Sequence, residues 1–229
     1  MSNIELFTAE GPTQVAYIAS EPGQHLACVI KEKGTYYERK LLDVIRVYNR
    51  PGVYVDVGAN IGNHSVYFAL ECPSTEVIAI EPFPQTFQEL EATIAANGLE
   101  SKVHVLQMAV HPTLEEVAAV EPDQVAGGHP NRGMVFVRPG AGVPADTLDN
   151  ILQGYSDIAV IKVDVEGLGV EVIESGLRCI KQNLPLISCE ADGQDAQRLD
   201  DLLAPLGYGR KQKNLAATPT YLWIPSPNQ

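Results

Sequence analysis

No C-x-x-C pair occurs in this 229-residue chain, and its four cysteines, Cys28, Cys72, Cys179 and Cys189, are widely scattered. That distribution argues against a disulfide scaffold or a zinc module and predicts reduced thiols. The histidines, His25, His64, His104, His111 and His129, also lack metal-ligand spacing, so no metal is expected from them. Positive charge is scarce: 16 Lys and Arg stand against 29 Asp and Glu, a net charge of -13. Phosphate backbones attract basic patches, so no nucleic-acid partner is expected. No apolar run approaches the ~18 residues of a membrane span, and no membrane partner is expected. The start, MSNIELFTAEG, has neither a basic n-region nor an apolar h-region, which predicts a cytoplasmic location. Internal repeats and low-complexity segments are absent too.

The sequence does hold a stretch from Val53 to Phe68, VYVDVGANIGNHSVYF. A run of strand formers leads to Gly58 and Gly62, and then to apolar residues at helical spacing. Strand, glycine turn and helix make the first half of a βαβ unit, whose crevice is where α/β sheets bind ligands. Further buried strands are expected at Glu76 to Ile80, Val103 to Val110, Ile158 to Val165 and Leu186 to Cys189. Helices are expected at about Gln85 to Ala96, Val170 to Gly176 and Ala196 to Leu203. This alternation predicts a mostly parallel sheet with covered faces. Candidate strands at Tyr208 to Gln212 and Tyr221 to Ile224 suit an antiparallel edge hairpin.

Residues 1–50 read as an N-terminal hairpin and helix appendage packed on a core of 51–229, the whole forming one structural unit. Two strand-like runs, QVAYIAS and HLACVI, flank Glu21-Pro22-Gly23 as a hairpin. Thr35 is the expected N-cap of a helix through Leu41 and Ile45, with Glu38 as its capping-box partner. Between His111 and Pro144 lies a glycine-rich segment with short strands at Glu116 to Val120 and Met134 to Val137. A segment of that length in a compact domain is usually functional.

Three loop chemistries compete for the crevice. A P-loop would need G-x-x-x-x-G-K-[ST], and none occurs. A dinucleotide fingerprint would need G-x-G-x-x-G, whereas here Asp56 precedes Gly58, Asn60 and Gly62. An anion beside a pyrophosphate is repelled, so Asp56 points instead to a ligand with an ammonium group, such as S-adenosyl-L-methionine. The ligand's carboxylate would meet the N–H groups at the helix start. Glu81, at the end of the second core strand, suits both ribose hydroxyls.

With VDVGANIG (Val55 to Gly62), AIEPFP (Ala79 to Pro84), TLD (Thr147 to Asp149) and IKVDVEG (Ile161 to Gly167), the chain resembles the FkbM-type family of S-adenosylmethionine-dependent methyltransferases. The resemblance runs from about Thr35 to Glu190. It implies the Rossmann-like class I methyltransferase fold, an α/β architecture with a seven-stranded, mostly parallel sheet and helices on both faces. By the same resemblance the cofactor is held by Asp56, Gly58, Asn60, Gly62 and Glu81, with Phe83 flanking the adenine and Met108 and Ala109 beside it.

A hydroxyl acceptor must lose its proton during methyl transfer, and a positioned base contributes ~10²–10⁴-fold. Lys162, Asp164 and Glu166 share a strand face at about 6.5 Å steps. Asp164 and Glu166 are the candidates for acceptor orientation or base work, with a divalent ion as the alternative though no third ligand is evident, and Lys162 for holding an acid ionised. The alternative for Lys162 is a structural ion pair. His64 is either a base or a helix cap, with the cap favoured. Glu190 and Asp192 face the acceptor or solvent. Asn131-Arg132-Gly133 is an acceptor-side candidate, and Tyr36, Tyr37 and Glu38 either cover the cofactor or start a helix. The expected activity is O-methylation of a small-molecule hydroxyl, on a sugar or natural product. A nicotinamide-dependent oxidoreductase and a cofactor-binding module without turnover are the alternatives.

Overall fold

The structure, a computed structural model, describes residues 4–120, 136–211, 216 and 218–226. The chain opens with an antiparallel hairpin of β1 (Glu5–Glu10) and β2 (Val15–Ser20), which sets Phe7 opposite Ile18 and Ala9 opposite Ala16. Those four side chains are buried, whereas Leu6, Val15 and Tyr17 face outward, as the two-residue period of a strand requires. The expected pairing of QVAYIAS with HLACVI is therefore corrected. HLACVI lies in helix α1 (His25–Lys33), which buries Ala27 and Ile30 on one face and stops at Gly34, φ 65°. Six residues fit the strand and helix periods about equally, and the polar extension to a glycine stop decides for helix.

The expected capping box is corrected as well. Helix α2 (Arg39–Tyr48) starts four residues after Thr35, and the Thr35 hydroxyl donates to the Glu10 carbonyl instead (2.8 Å). Glu38 stands at the N-cap with φ 53° and forms no side-chain cap. Leu41, Leu42 and Ile45 form the buried face of α2.

The core then alternates as expected: β3 (Gly52–Val57), α3 (Asn63–Glu71), β4 (Ser74–Ile80), α4 (Pro84–Ala96) and β5 (Val103–Leu106). The third core strand ends earlier than expected, because the chain turns after Leu106. Ala109–Val110 becomes β6 in a second sheet with β7 (Glu116–Val120), β8 (Phe136–Pro139) and β9 (Val143–Asp146), in the order β6-β9-β7-β8. Helix α5 (Leu148–Ile151) is capped by the Thr147 side chain, which accepts from the Asn150 N–H. There follow β10 (Ile158–Val163), α6 (Gly169–Glu174), α7 (Leu177–Asn183), β11 (Leu186–Glu190), α8 (Gly193–Leu203), β12 (Tyr208–Lys211) and β13 (Thr220–Pro225).

Seven strands form the main sheet in the order β12-β13-β11-β10-β3-β4-β5. Pairing is parallel from β11 to β5, and β13 runs antiparallel to both of its neighbours. Alternate residues of the parallel strands feed two cores, one on each face. Tyr54, Val77 and Ala79 join Val66, Phe68, Leu90, Ile18 and Leu41. Val55, Ile78 and Ile161 join Ile173, Ile180, Leu199 and Trp223 on the other face. Trp223 is fully buried, and its Nε1 donates to Asp200 of α8 (2.9 Å). The chain leaves β3 toward β5 and returns on the other side of β3 at β10. Connections diverge at this switch point, opening a crevice beyond the strand ends.

Candidate active site

A cavity of about 480 Å³ occupies that crevice, lined from the ends of β3, β4, β10 and β11, the loop after β5, and the segment before α2. Its volume lies within the ~300–1,000 Å³ of small-molecule sites.

The glycine loop forms one wall. Gly58 has φ 75°, and a Cβ there would stand 2.0 Å from the Asp164 carbonyl oxygen. Gly62 has φ 88°, and its Cβ would stand 2.8 Å from Leu90 Cδ1. Both positions need glycine for backbone conformation and for packing on β10 and α4. Gly58 lines the cavity and Gly62 does not. Asn60, φ 50°, lines it too, and its side-chain oxygen accepts from the Ile61 N–H (2.8 Å). One N–H expected to meet the ligand is thus already satisfied.

Glu81 also lines the cavity, although only 6% of it is exposed. Its two oxygens accept from the N–H groups of Asn60 and Phe83, both at 2.9 Å. Burial pushes its carboxyl up to about 7, against the pull of those two donors and of Lys162. Met108 and Ala109 line the cavity near Glu81's loop. Phe83 is buried outside the lining and contributes its N–H to Glu81.

Asp56 takes a different place from the one its position suggested. It is fully buried and does not line the cavity. One oxygen lies 2.9 Å from Lys162 Nζ, and the other accepts from the Ser65 hydroxyl at 2.6 Å. The parallel register that sets Asp56 opposite Lys162 brings the pair together. With both oxygens engaged, Asp56 cannot contact a ligand in the cavity directly. Lys162 in turn donates to the Gly58 carbonyl (2.8 Å) and lies 3.6 Å from Asp164 Oδ2. Burial lowers the Lys162 pKa, but the charges of Asp56 and Asp164 outweigh it and hold the ammonium well above its ordinary range.

Lys162, Asp164 and Glu166 all line the cavity. The shared strand face extends only to Lys162, however, because β10 ends at Val163 and the two acids lie in the following turn. Although its side chain is 41% exposed, the protein packed around Asp164 opposes its ionisation, yet Lys162 and a hydrogen bond from Glu190 hold its carboxyl below the usual range. Glu190 is raised by its own burial and then by Asp164. The pair therefore reads as a protonated Glu190, at the end of β11, donating to an Asp164 carboxylate in the turn after β10. Burial and the Asp164 charge raise Glu166 as well.

His64 lines the cavity from the first turn of α3. The favoured capping role is not formed: Gly62 is the N-cap, with no side-chain cap bond. Burial first, and then Lys162, lower its pKa and leave a neutral ring. The segment before α2 lies across this wall, because the Asn63 side chain pairs with the Tyr37 backbone N–H and carbonyl (3.0 and 3.2 Å). Burial, then Glu38, Asp164 and Glu190, push the Tyr37 phenol up to about 12. Asp192 points away from any acceptor role, as it caps α8 by accepting from Gln194 and Asp195 N–H groups (2.8 and 2.9 Å). Asn131-Arg132-Gly133 lies outside the described residues.

Sequence reasoning missed His25 and Leu26, which reach the cavity from the start of α1, and Phe136 and Val137 of β8. The helical period of His25 to Lys33 was the available signal for the first pair. The second pair lies in the His111 to Pro144 segment expected to be functional, but nothing local marks those two residues within it.

The profile of the methyltransferase FkbM domain family matches residues 56–209. The methyltransferase sdnD of Sordaria araneosa is 27% identical over 163 residues, 58% of this chain and 62% of that protein. The 31-O-demethyl-FK506 methyltransferase FkbM of Streptomyces tacrolimicus is 29% identical over 147 residues, 51% of this chain and 56% of that protein. The match thus spans less than two thirds of either relative. Among solved structures, a methyltransferase FkbM from Methylobacillus flagellatus KT superposes with a TM-score of 0.53 at 18% identity. That superposition covers 74% of this chain and 42% of that one, and is a likeness of fold.

Proposed function

The chain belongs to the FkbM methyltransferase family, and from that premise we propose that it moves a methyl group from S-adenosyl-L-methionine to a hydroxyl oxygen of a small molecule. The observation that carries the reading is Glu81: a cavity-lining carboxylate fixed by two backbone N–H groups, with lone pairs left for two ribose hydroxyls. Met108 and Ala109 offer an apolar wall for the adenine. Gly58 and Asn60 leave room for the methionine portion beside the start of α3. When bound, the donor supplies an electrophilic methyl on a sulfonium. Asp56 acts here through Lys162 and not by contact.

On the acceptor side, Lys162 holds Asp164 ionised, and Glu190 donates to it. An anchored carboxylate of this kind can accept a hydrogen bond from an acceptor hydroxyl and aim its oxygen. Glu166, exposed at the rim, is a second carboxylate to receive the proton. The Streptomyces relative is by name a 31-O-demethyl-FK506 methyltransferase. An O-demethylated acceptor there supports a hydroxylated small molecule here, a natural product or a sugar.

The test uses methyl-labelled S-adenosylmethionine with pools of hydroxylated small molecules, tracing label into a new ether. Calorimetry with S-adenosylhomocysteine and with NAD runs beside it. Tighter binding of NAD would sink the reading in favour of an oxidoreductase. Donor binding by the unaltered protein, without product from any pool, would favour a module without turnover.

A further inference from the structure

Three donor side chains that lie far apart in the sequence meet at one wall of the cavity. Glu38 precedes α2, His64 sits in the first turn of α3, and Asp164 follows β10. One ligand-type atom from each lies within 4.8 Å of the other two. Each is held by its own constraint. Glu38 occupies the left-handed region, φ 53°, which is uncommon for a residue with a long side chain. The neighbouring Tyr37 backbone is pinned to Asn63. The Asp164 N–H is bonded to the Val57 carbonyl (3.0 Å).

His64 supplies the observation that points to a ligand. It is only 5% exposed, and its Nε2 has no hydrogen-bond partner among the described residues. That nitrogen stands 3.6 Å from Glu38 Oε2, beyond the ~2.7–3.2 Å of a hydrogen bond. Two donors each about 2.1 Å from a shared ion, at a tetrahedral angle, stand about 3.4 Å apart. An ammonium nitrogen, with hydrogen bonds of about 2.8–2.9 Å, would spread the same two donors to about 4.7 Å. The His64–Glu38 separation fits the metal, and Asp164 offers an oxygen within 4.8 Å of both.

We propose that Glu38, His64 and Asp164 form a mononuclear site for a divalent first-row transition ion. One imidazole and two carboxylates suit manganese, iron or zinc; magnesium and calcium favour oxygen donors alone. The Asp164 side chain is 41% exposed, so the remaining coordination positions open to the cavity. Lys162 does not fill this place, since its ammonium is engaged by Asp56 at 2.9 Å and by the Gly58 carbonyl at 2.8 Å. An acceptor oxygen entering an open position would be polarised by the ion. Ion binding goes beyond the methyl-transfer reading and does not depend on it.

The test titrates chelator-treated full-length protein with Mn²⁺, reading free ion by electron paramagnetic resonance. One saturable site per chain is expected. Glu38→Gln and His64→Gln should each weaken it at least ~10-fold, while Glu174→Gln, exposed on α6, should leave it unchanged. Circular dichroism checks that the variants fold, and Glu38→Gln serves alone if the helix start does not tolerate the loss of His64. Absence of saturable binding overturns the site, and so does binding of equal strength in Glu38→Gln. Because the readout needs neither donor nor acceptor, failure to find a methylated product leaves this result standing.

Discussion

At the scale of single residues, Glu81 makes the most exposed commitment. Its carboxyl is raised by burial from 4.5 to about 7, so a ligand that donates hydroxyls to it must bind the ionised form. The sign follows. Above about pH 7 the group is ready to accept. Below that, affinity for S-adenosylhomocysteine should fall by about tenfold for each pH unit, because a proton must first leave. The same shift makes Glu81 a cost to the unliganded fold, absent below about 4.5, growing as pH rises from there to about 7, and constant above. Calorimetry across this window should show the slope, and Glu81→Ala should abolish it while weakening binding by ~2–4 kcal/mol. A flat profile with unchanged affinity would place the ribose elsewhere. Glu81 could be singled out in the sequence because it ends a strand in the motif AIEPFP. Its anchoring by Asn60 and Phe83 could not, since that depends on how the loops after β3 and β4 cross.

At the scale of elements, the pairing of β3 with β10 does more than build the sheet. It sets Asp56 against Lys162, with side chains that are 0% and 4% exposed. Removing one partner of a buried pair leaves the other charge without compensation, at a cost of ~3–5 kcal/mol. Lys162→Met should therefore destabilise by that amount in chemical unfolding, and Asp56→Asn added to it should recover part of the loss. Additive losses would show that the two do not act together. The strands themselves were legible because they are apolar runs bounded by turns. The roles of their acids were less so. The place of Asp56 before Gly58 suggests a residue facing the ligand, but a strand pattern does not reveal which charge waits on the neighbouring strand. Helix α7 escapes the sequence altogether, since LRCIKQN follows Gly176 closely and carries only two buried residues, Cys179 and Ile180. The Glu38, His64 and Asp164 cluster was invisible for a related reason: donors brought together by topology show no ligand spacing.

At the scale of the whole molecule, the N-terminal hairpin is tied to the sheet's own helices. Backbone groups of β2 bond to side chains of α4 and its C-cap: the Ala19 N–H to Thr93 Oγ1 (2.8 Å), and the Tyr17 N–H and carbonyl to Asn97 (3.0 and 2.7 Å). Phe7, Ala9, Ala16, Ile18 and Ala19 are buried. Burying the Phe and Ile side chains alone contributes ~3–6 kcal/mol, comparable to the net stability of ~5–15 kcal/mol typical of a domain. Deleting residues 1–20 should therefore abolish the cooperative thermal transition seen with the full chain. A truncated protein that melts cooperatively near the original temperature would make the segment a separable appendage.

The enclosed Trp223 gives the molecule an optical property. It is the chain's single tryptophan, shielded from water and opposite Ile187 on β11. Its emission should be blue-shifted in the native state and move to the red when the C-terminal strands open. The same strand pair joins Thr220 to Glu190 at the cavity. One built-in fluorophore, with no dye attached, thus reports on the edge of the sheet whose other end carries an acid of the site.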